Sequence, residues 1–533
     1  MQYVHTFRDD RRGNFAMLSA ILSIPLVLGA GVALDFATLS RTKSSLQQAM
    51  DSAALAIARE GTLLSNVQAQ AIAHDFLDEN FDRKYTDLAV GREGTAVSVD
   101  ARTMVPLAFG SLFGYEVWPV QAASAADIAY ATYEVGLVLD TTGSMKGGKL
   151  TAMKEAVEGL VETMAAQVND ADKLQFAVVP FANFVNVGPD YGPKFDSHGK
   201  MIPGTGAPWL DLAGVTPVPQ LELAGVSRFE IFNNLGQKWA GCVETRIAAG
   251  GKAHDTDDTP ATAADKASLF VPAFGIDEPS TGGYANDYIA TDIDPLDMSK
   301  ATKVKKLKKY GVPGKKIAAV TELTPLVPPA EASDESWDAV SASVTSTRGP
   351  NQACVTQPIM PLTNAYATVV SKVNSLQANG TTNIMEGVAW GMRVLSPGEP
   401  FAQAADKKTV GIEKIMIVLT DGANVFGNNS TALGSAYASR GYLADGRLGI
   451  DAGSASDTNA LMNEKTLEAC TNAKAAGIQV YTIRLEEPDV ATGTMLAECA
   501  SSPLHYFDAP SRTQLDEVFQ TIKDRIVRVR LAS

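Results

Sequence analysis

The sequence predicts an α/β protein whose larger part is a doubly wound, mainly parallel sheet, and three observations lead there. From Tyr133 onward, short apolar runs alternate with long amphipathic stretches, the pattern of a parallel sheet covered by helices on both faces. Two of those runs, Val135–Leu139 and Ile415–Leu419, stop abruptly before a carboxylate, at Asp140 and at Thr420-Asp421. Well ahead of them, Phe15–Leu34 is an uncharged apolar run of 20 residues, about enough to cross a bilayer as one helix.

The amino-terminal elements follow from periodicity. Arg8, Arg11 and Arg12 precede the apolar run while Arg41 and Lys43 follow it, which favours a cytoplasmic amino terminus. Gly31-Val32-Ala33 also offers a small-residue cleavage site, so a signal peptide is the rival reading. Phe36–Arg59 continues as helix, without Pro or Gly. Leu39, Leu46 and Ala53 recur every seven residues on one stripe, joined by Met50 and Ile57. A second helix is predicted over Val67–Phe81, a half-buried strand over Thr95–Val105, a short helix over Leu107–Phe113 and a strand from Glu116 to Val120. Together they make a small α+β module.

In the larger part, Val135–Leu139 is predicted as strand, and Leu150, Met153, Val157, Leu160, Val161 and Met164 follow at helical spacing. Leu174–Val179 is the next strand. Helix Ile384–Leu395, strand Ile415–Leu419, helix Thr466–Ala475, strand Ile478–Leu485, a short strand Tyr506–Phe507 and helix Leu515–Val527 complete the series. Between Asn186 and about Pro361 the rhythm stops. That stretch is too long for an ordinary loop and reads as an irregular insertion. Its lysines (Lys300, Lys303, Lys305, Lys306, Lys308, Lys309) are expected on a solvated face, and His254-Asp255-Thr256-Asp257-Asp258 in a surface loop without the Gly and Glu of a calcium-binding EF-hand.

Bulk properties restrict the function classes. A length of 533 residues implies more than one domain, and the net charge of −15 argues against nucleic acid or an anionic membrane surface as main partner. Cys242, Cys354, Cys470 and Cys499 form no metal-type pair, and sequence order suggests disulfides 242–354 and 470–499 among three possible connectivities. The five histidines include no HExxH, and no GxSxG occurs, so no catalytic role is expected.

Chemistry concentrates on three fragments. In Leu139-Asp140-Thr141-Thr142-Gly143-Ser144, one carboxylate and two hydroxyls alternate at the end of a strand, where Asp140, Thr142 and Ser144 can share one pocket. Hard oxygen donors of this kind suit a small divalent cation. Gly380-Thr381-Thr382-Asn383 opens a helix, and Leu419-Thr420-Asp421-Gly422 ends a strand with the same grammar as Leu139-Asp140. Gly143–Lys149 also fits a phosphate-binding loop, but Leu150 stands where its magnesium-binding Ser or Thr belongs, so no nucleotide is expected.

Taken in order, DTTGSM, NGTTN and IVLTDG resemble the metal-ion-dependent adhesion site of von Willebrand factor A (VWA) domains, with Thr142 replacing the middle Ser of Asp-x-Ser-x-Ser. The resemblance implies a Rossmann-like VWA fold and a metal site of Asp140, Thr142, Ser144, Thr382 and Asp421. Thr381 is the alternative to Thr382. It further implies Mg2+, with Ca2+ or Mn2+ possible, and a coordination position open to a partner's Asp or Glu.

The amino end, Arg11-Arg12-Gly13-Asn14-Phe15 through Leu46-Gln47-Gln48-Ala49-Met50-Asp51-Ser52-Ala53-Ala54, resembles the TadE/TadG-like family of the tight-adherence (Flp) pilus assembly machinery. Leu18 stands where prepilin processing after a Gly usually finds a Glu, which argues for an intact anchor. The resulting expectation is a cytoplasmic 1–13, a transmembrane helix 14–37, a pilin-like TadE/TadG module 38–128, VWA segments 129–186 and 361–533, and an insertion 187–360. The expected protein sits in a bacterial inner membrane by a single pass, with its bulk periplasmic or outside the cell. It would assist assembly or anchoring of Flp-type pili by metal-dependent binding to an envelope or pilus-assembly protein. A surface adhesin that binds an acidic ligand, unrelated to pili, is the runner-up.

Overall fold

The computed structural model describes residues 14–531 except 61–63, 94–95, 130–131, 169–170, 219, 221–222, 248–252, 290, 298, 300–301, 303–304, 307–308, 312–343, 346–347, 407–408, 410–411 and 527–529. It divides into two compact units, one of residues 1–131 and 527–533 and the other of residues 132–526.

The first unit is organised by one long helix, α1 (Asn14–Glu60). Its apolar amino-terminal half is exposed, with Met17, Leu18, Ile21, Leu22, Ile24 and Leu26 all more than half accessible. The stretch is long and apolar enough to cross a membrane. Its second half buries Leu46, Met50, Ala53 and Ile57 of the predicted stripe, with Ala49, Ala54 and Ala58 filling the gaps, while Leu39 is only half-buried. Helix α2 (Asn66–Asn80) starts at a capping box, in which Ser65 and Gln68 satisfy each other's backbone N–H groups. Strands β1 (Tyr85–Glu93), β2 (Ala96–Pro106) and β3 (Val117–Ala129) form an antiparallel sheet. Val97, Val99 and Ala101 of β2 alternate inward to meet the α1 stripe, and the terminal strand Arg530–Leu531 pairs with β3. The predicted short helix is a single 3-10 turn, Gly110–Phe113.

In the second unit, β4 (Thr132–Asp140) lies between β5 (Leu174–Phe181) and β9 (Ile412–Thr420), and all three are parallel. Beyond β9 the sheet continues with β10 (Ile478–Leu485) and β11 (Tyr506–Ala509), also parallel. Three short strands, β6 (Val185–Asn186), β7 (Cys242–Val243) and β8 (Met360–Thr363), add antiparallel pairings on the β5 side. Helices α3 (Gly148–Gln167), α5 (Tyr366–Ser375), α6 (Ile384–Val394), α7 (Ala455–Ala475), α8 (Val490–Cys499) and α9 (Leu515–Ile526) complete the layers, with a short α4 (Arg228–Asn234) in the insertion. The chain runs outward from β4 through β5 to β8, then returns to the opposite side of β4 as β9. This is a doubly wound arrangement, and its switch point lies between β4 and β9. In such sheets ligands bind outside the carboxyl ends of the strands at that point.

The insertion does not form a core of its own among the described residues. Trp209, Phe229, Phe232, Phe270 and Phe274 belong to the same cluster as Val138 and Phe181 of the sheet and Trp390 of α6. Both disulfides have the pairing suggested by sequence order, Cys242–Cys354 and Cys470–Cys499.

Two expectations about the insertion are overturned. His254, Asp255 and Thr256 are buried rather than in a surface loop. Asp255 pairs with Arg440 and Lys465, each at 3.1 Å, and Asp257 pairs with Arg246 at 2.9 Å, so basic side chains supply the charge that calcium would. The lysine run is not wholly solvated either. Lys305 is exposed, but Lys306 donates to the Pro295 carbonyl at 2.6 Å and Lys309 to Asp277, both from buried positions. Lys300, Lys303 and Lys308 lie outside the described residues.

Candidate metal centre

Three loops meet at the switch point, and backbone hydrogen bonds fasten them together. Gly143 N–H donates to the Gly380 carbonyl at 2.9 Å, and Asn379 N–H to the Thr141 carbonyl at 2.8 Å. Val425 N–H donates to the Thr382 carbonyl at 2.9 Å, tying the loop after β9 to the other two. Asn383 caps α6 by accepting from Glu386 N–H, while Asn424, fully buried, accepts from Ile384 N–H at 2.8 Å. Thr382 is thereby held at a helix amino terminus.

Within this frame the side chains form a continuous chain of contacts. Asp140 is fully buried; one carboxylate oxygen accepts from Thr142 N–H at 2.8 Å, and the other from the Thr420 hydroxyl at 2.6 Å. The Thr142 and Ser144 hydroxyls lie 2.9 Å apart, and Ser144 donates to Asp421 Oδ1 at 2.6 Å. Thr382 Oγ1 faces Gly422, where a Cβ would come within 3.1 Å of it and 3.6 Å of Ser144 Oγ. All five residues singled out in the sequence are therefore gathered at one point. Thr382 is buried and Thr381 exposed, which favours Thr382 of the two candidates. Ser144 is itself exposed and marks the mouth of the site.

The electrostatics fit a cation. Asp140 is pushed up to about 6, first by burial and then by the charge of Asp421, against the pull of its hydrogen bonds from Thr142 and Thr420. Two carboxylates and three hydroxyls form the hard, oxygen-only donor set that a small divalent ion takes. Among the described residues no three His, Cys, Asp or Glu side chains gather for a metal, so an ion here would depend on the hydroxyls.

Sequence reasoning missed two participants. Thr420 orients Asp140 from the neighbouring strand. Lys149 holds Asp421 Oδ2 at 2.7 Å from the first turn of α3. A cation at a helix amino terminus opposes the helix dipole, so its position called for a nearby carboxylate, and that was the available signal. The same contact commits the lysine of the phosphate-loop look-alike to Asp421.

Comparison with known proteins bears on the other end of the chain. Residues 13–60 match the family described as putative Flp pilus-assembly TadE/G-like. The match spans α1, which among the described residues is the one helix long and apolar enough to cross a membrane. No curated protein matches the sequence.

Three solved structures show the range of overlap. The pilus adhesin SpaC from Lactobacillus rhamnosus GG has 11% identity and TM-score 0.31, covering 83% of this chain. The chain spans only 34% of SpaC's own length. The vWF domain of the type V pili tip protein Mfa5 from Porphyromonas gingivalis has 9% identity and TM-score 0.32, covering 76% of this chain and 98% of that one. Proximal thread matrix protein 1 from the mussel byssus, with a zinc-occupied MIDAS motif, has 14% identity and TM-score 0.19, covering 76% and 100%. Strand order and loop geometry, not these overlaps, carry the fold assignment.

Proposed function

We propose that this chain is a non-catalytic docking protein of the bacterial envelope. It would be anchored in the inner membrane by α1 and would assist assembly or anchoring of Flp-type pili through a metal-dependent grip on a partner. The observation that carries this reading is the convergence of Asp140, Thr142, Ser144, Thr382 and Asp421 from three loops at the switch point.

The residues divide the work. Thr420 and Thr142 N–H fix the Asp140 carboxylate, so it needs no rearrangement to face a cation. Asn383 and Asn424 hold the start of α6 and with it the Thr382 hydroxyl. Ser144 stands at the open side, where a partner would approach. A divalent ion bound there, Mg2+ by the hardness of the donors, would supply positive charge for an incoming Asp or Glu. The TadE/G-like segment favours pilus assembly over an unrelated adhesin.

The test is complementation in the organism that carries the protein. A deletion strain should lose its pili, the wild-type chain should restore them, and a chain with Asp140→Asn, expressed at equal level in the membrane, should not. Normal piliation in the deletion strain would contradict the pilus role. Full rescue by Asp140→Asn would contradict the metal-dependent grip.

A further inference from the structure

Where the exposed half of α1 gives way to the folded module, an apolar turn is fastened to the helix. The Asp35 carboxylate, buried, accepts from three consecutive backbone N–H groups, those of Ala108 (2.8 Å), Phe109 (2.9 Å) and Gly110 (2.8 Å). One turn earlier, the Phe109 ring lies directly on Gly31, where any side chain would strike it. The turn beyond projects large apolar groups into the open. Leu112 is 65% accessible and Phe113 56%, with Tyr115, Val117 and Trp118 beside them at about half. From Thr103 to Trp118 the only charged residue is Glu116.

We infer that this turn, with Leu112 and Phe113 at its tip and Tyr115 and Trp118 at its rim, seats the module on the lipid bilayer that α1 crosses. Depth supports it. The apolar run ends at Leu34, and Gly31 lies about 6 Å before Asp35 at 1.5 Å per helical residue, so Phe109 is held at the lipid boundary. Unpaired N–H groups are costly in lipid, and Asp35 removes that cost for the three in the turn. Tyr and Trp flanking an apolar tip suit the headgroup zone, where one side of the ring is wet. The patch lacks basic residues, so the attraction is apolar and independent of anionic lipid. This inference rests on α1 spanning the membrane, and neither on the pilus role nor on the metal.

The test uses the full chain in phosphatidylcholine nanodiscs, with a spin label at one introduced cysteine, the native four being paired. Labels at Leu112→Cys and Phe113→Cys are compared with Leu22→Cys in the span and Val67→Cys at the far end of the module. Accessibility is measured to oxygen, which enriches in lipid, and to a water-soluble nickel complex. Positions 112 and 113 should favour oxygen, as position 22 does, and adding phosphatidylserine should not change this. Nickel exposure matching position 67 would overturn the inference, as would exclusion of both reagents, the sign of a protein partner. A water-exposed label at position 22 would show instead that the spanning reading itself had failed.

Discussion

Replacing Lys149 by Met separates an ion pair from a metal site. The substitution keeps length and apolar volume but removes the ammonium 2.7 Å from Asp421 Oδ2, while the Ser144 hydroxyl still reaches Oδ1 at 2.6 Å. The Asp421 side chain is fully buried and that of Lys149 is 20% exposed. Breaking a wholly buried pair costs roughly 3–5 kcal/mol, and the partial exposure of Lys149 lowers the expected loss to about 2 kcal/mol. That loss belongs to the metal-free protein. With a divalent ion bound, Asp421 regains a positive neighbour and the loss should largely disappear. Thermodynamic linkage turns the difference into affinity, and about 2 kcal/mol corresponds to roughly thirtyfold tighter Mg2+ binding. The assay is denaturant unfolding of the second unit in chelator and in saturating Mg2+, beside calorimetric titration of Mg2+. Equal destabilisation with and without metal, together with an unchanged Kd, would refute the reasoning.

Gly422→Ala should weaken divalent-ion binding severalfold in the same titration while leaving the unfolding midpoint in chelator nearly unchanged. Its methyl group would lie 3.1 Å from Thr382 Oγ1 and 3.6 Å from Ser144 Oγ. Opening the Cys470–Cys499 bridge by a double Cys→Ala change should cost about 3–4 kcal/mol in denaturant unfolding, the chain-entropy value for its sequence separation of 29. The pH dependence of stability should carry the imprint of Asp445, raised from 3.8 to about 7 mainly by burial, with Glu244 adding to the rise and Arg447 and Arg228 opposing it. Between those values the folded chain keeps a proton that the unfolded chain releases, so this group's stabilisation falls as pH rises from about 4 to 7 and then levels off. Asp445→Asn should flatten that slope in unfolding measured across the same range.

The strong periodicities carried most of the fold. The α1 stripe and strands β4, β5, β9 and β10 were legible because each buries a regular set of apolar residues. Elements without such a set were not. Strand β1 sits at a sheet edge, carries Asp87 at φ 54°, and has no regular apolar alternation in its sequence. Helices α5 and α8 are rich in Val and Thr, and α8 contains Gly493, so propensity argued against both. In the insertion, charge misled. Asp255, Asp257, Lys306 and Lys309 look like surface residues until tertiary packing supplies partners, from Arg246 and Pro295 within the insertion to Arg440 far along the chain. The candidate site was legible because its residues sit at strand and helix ends, where sequence order fixes position. Thr420 and Lys149 were missed because their roles depend on which loop faces which.

The central claim is that five oxygens from three loops hold one divalent ion. Mn2+ titration of the purified full chain, followed by the loss of the free-ion electron paramagnetic resonance signal, tests it when wild type is compared with Thr382→Val. That change removes one buried hydroxyl at nearly constant volume, from a loop 242 residues from Asp140 in sequence. Wild type should bind one ion per chain, released by chelator, and Thr382→Val should bind it at least tenfold more weakly, with an unchanged circular dichroism spectrum. No binding by wild type, or equal binding by the two chains, would contradict the claim.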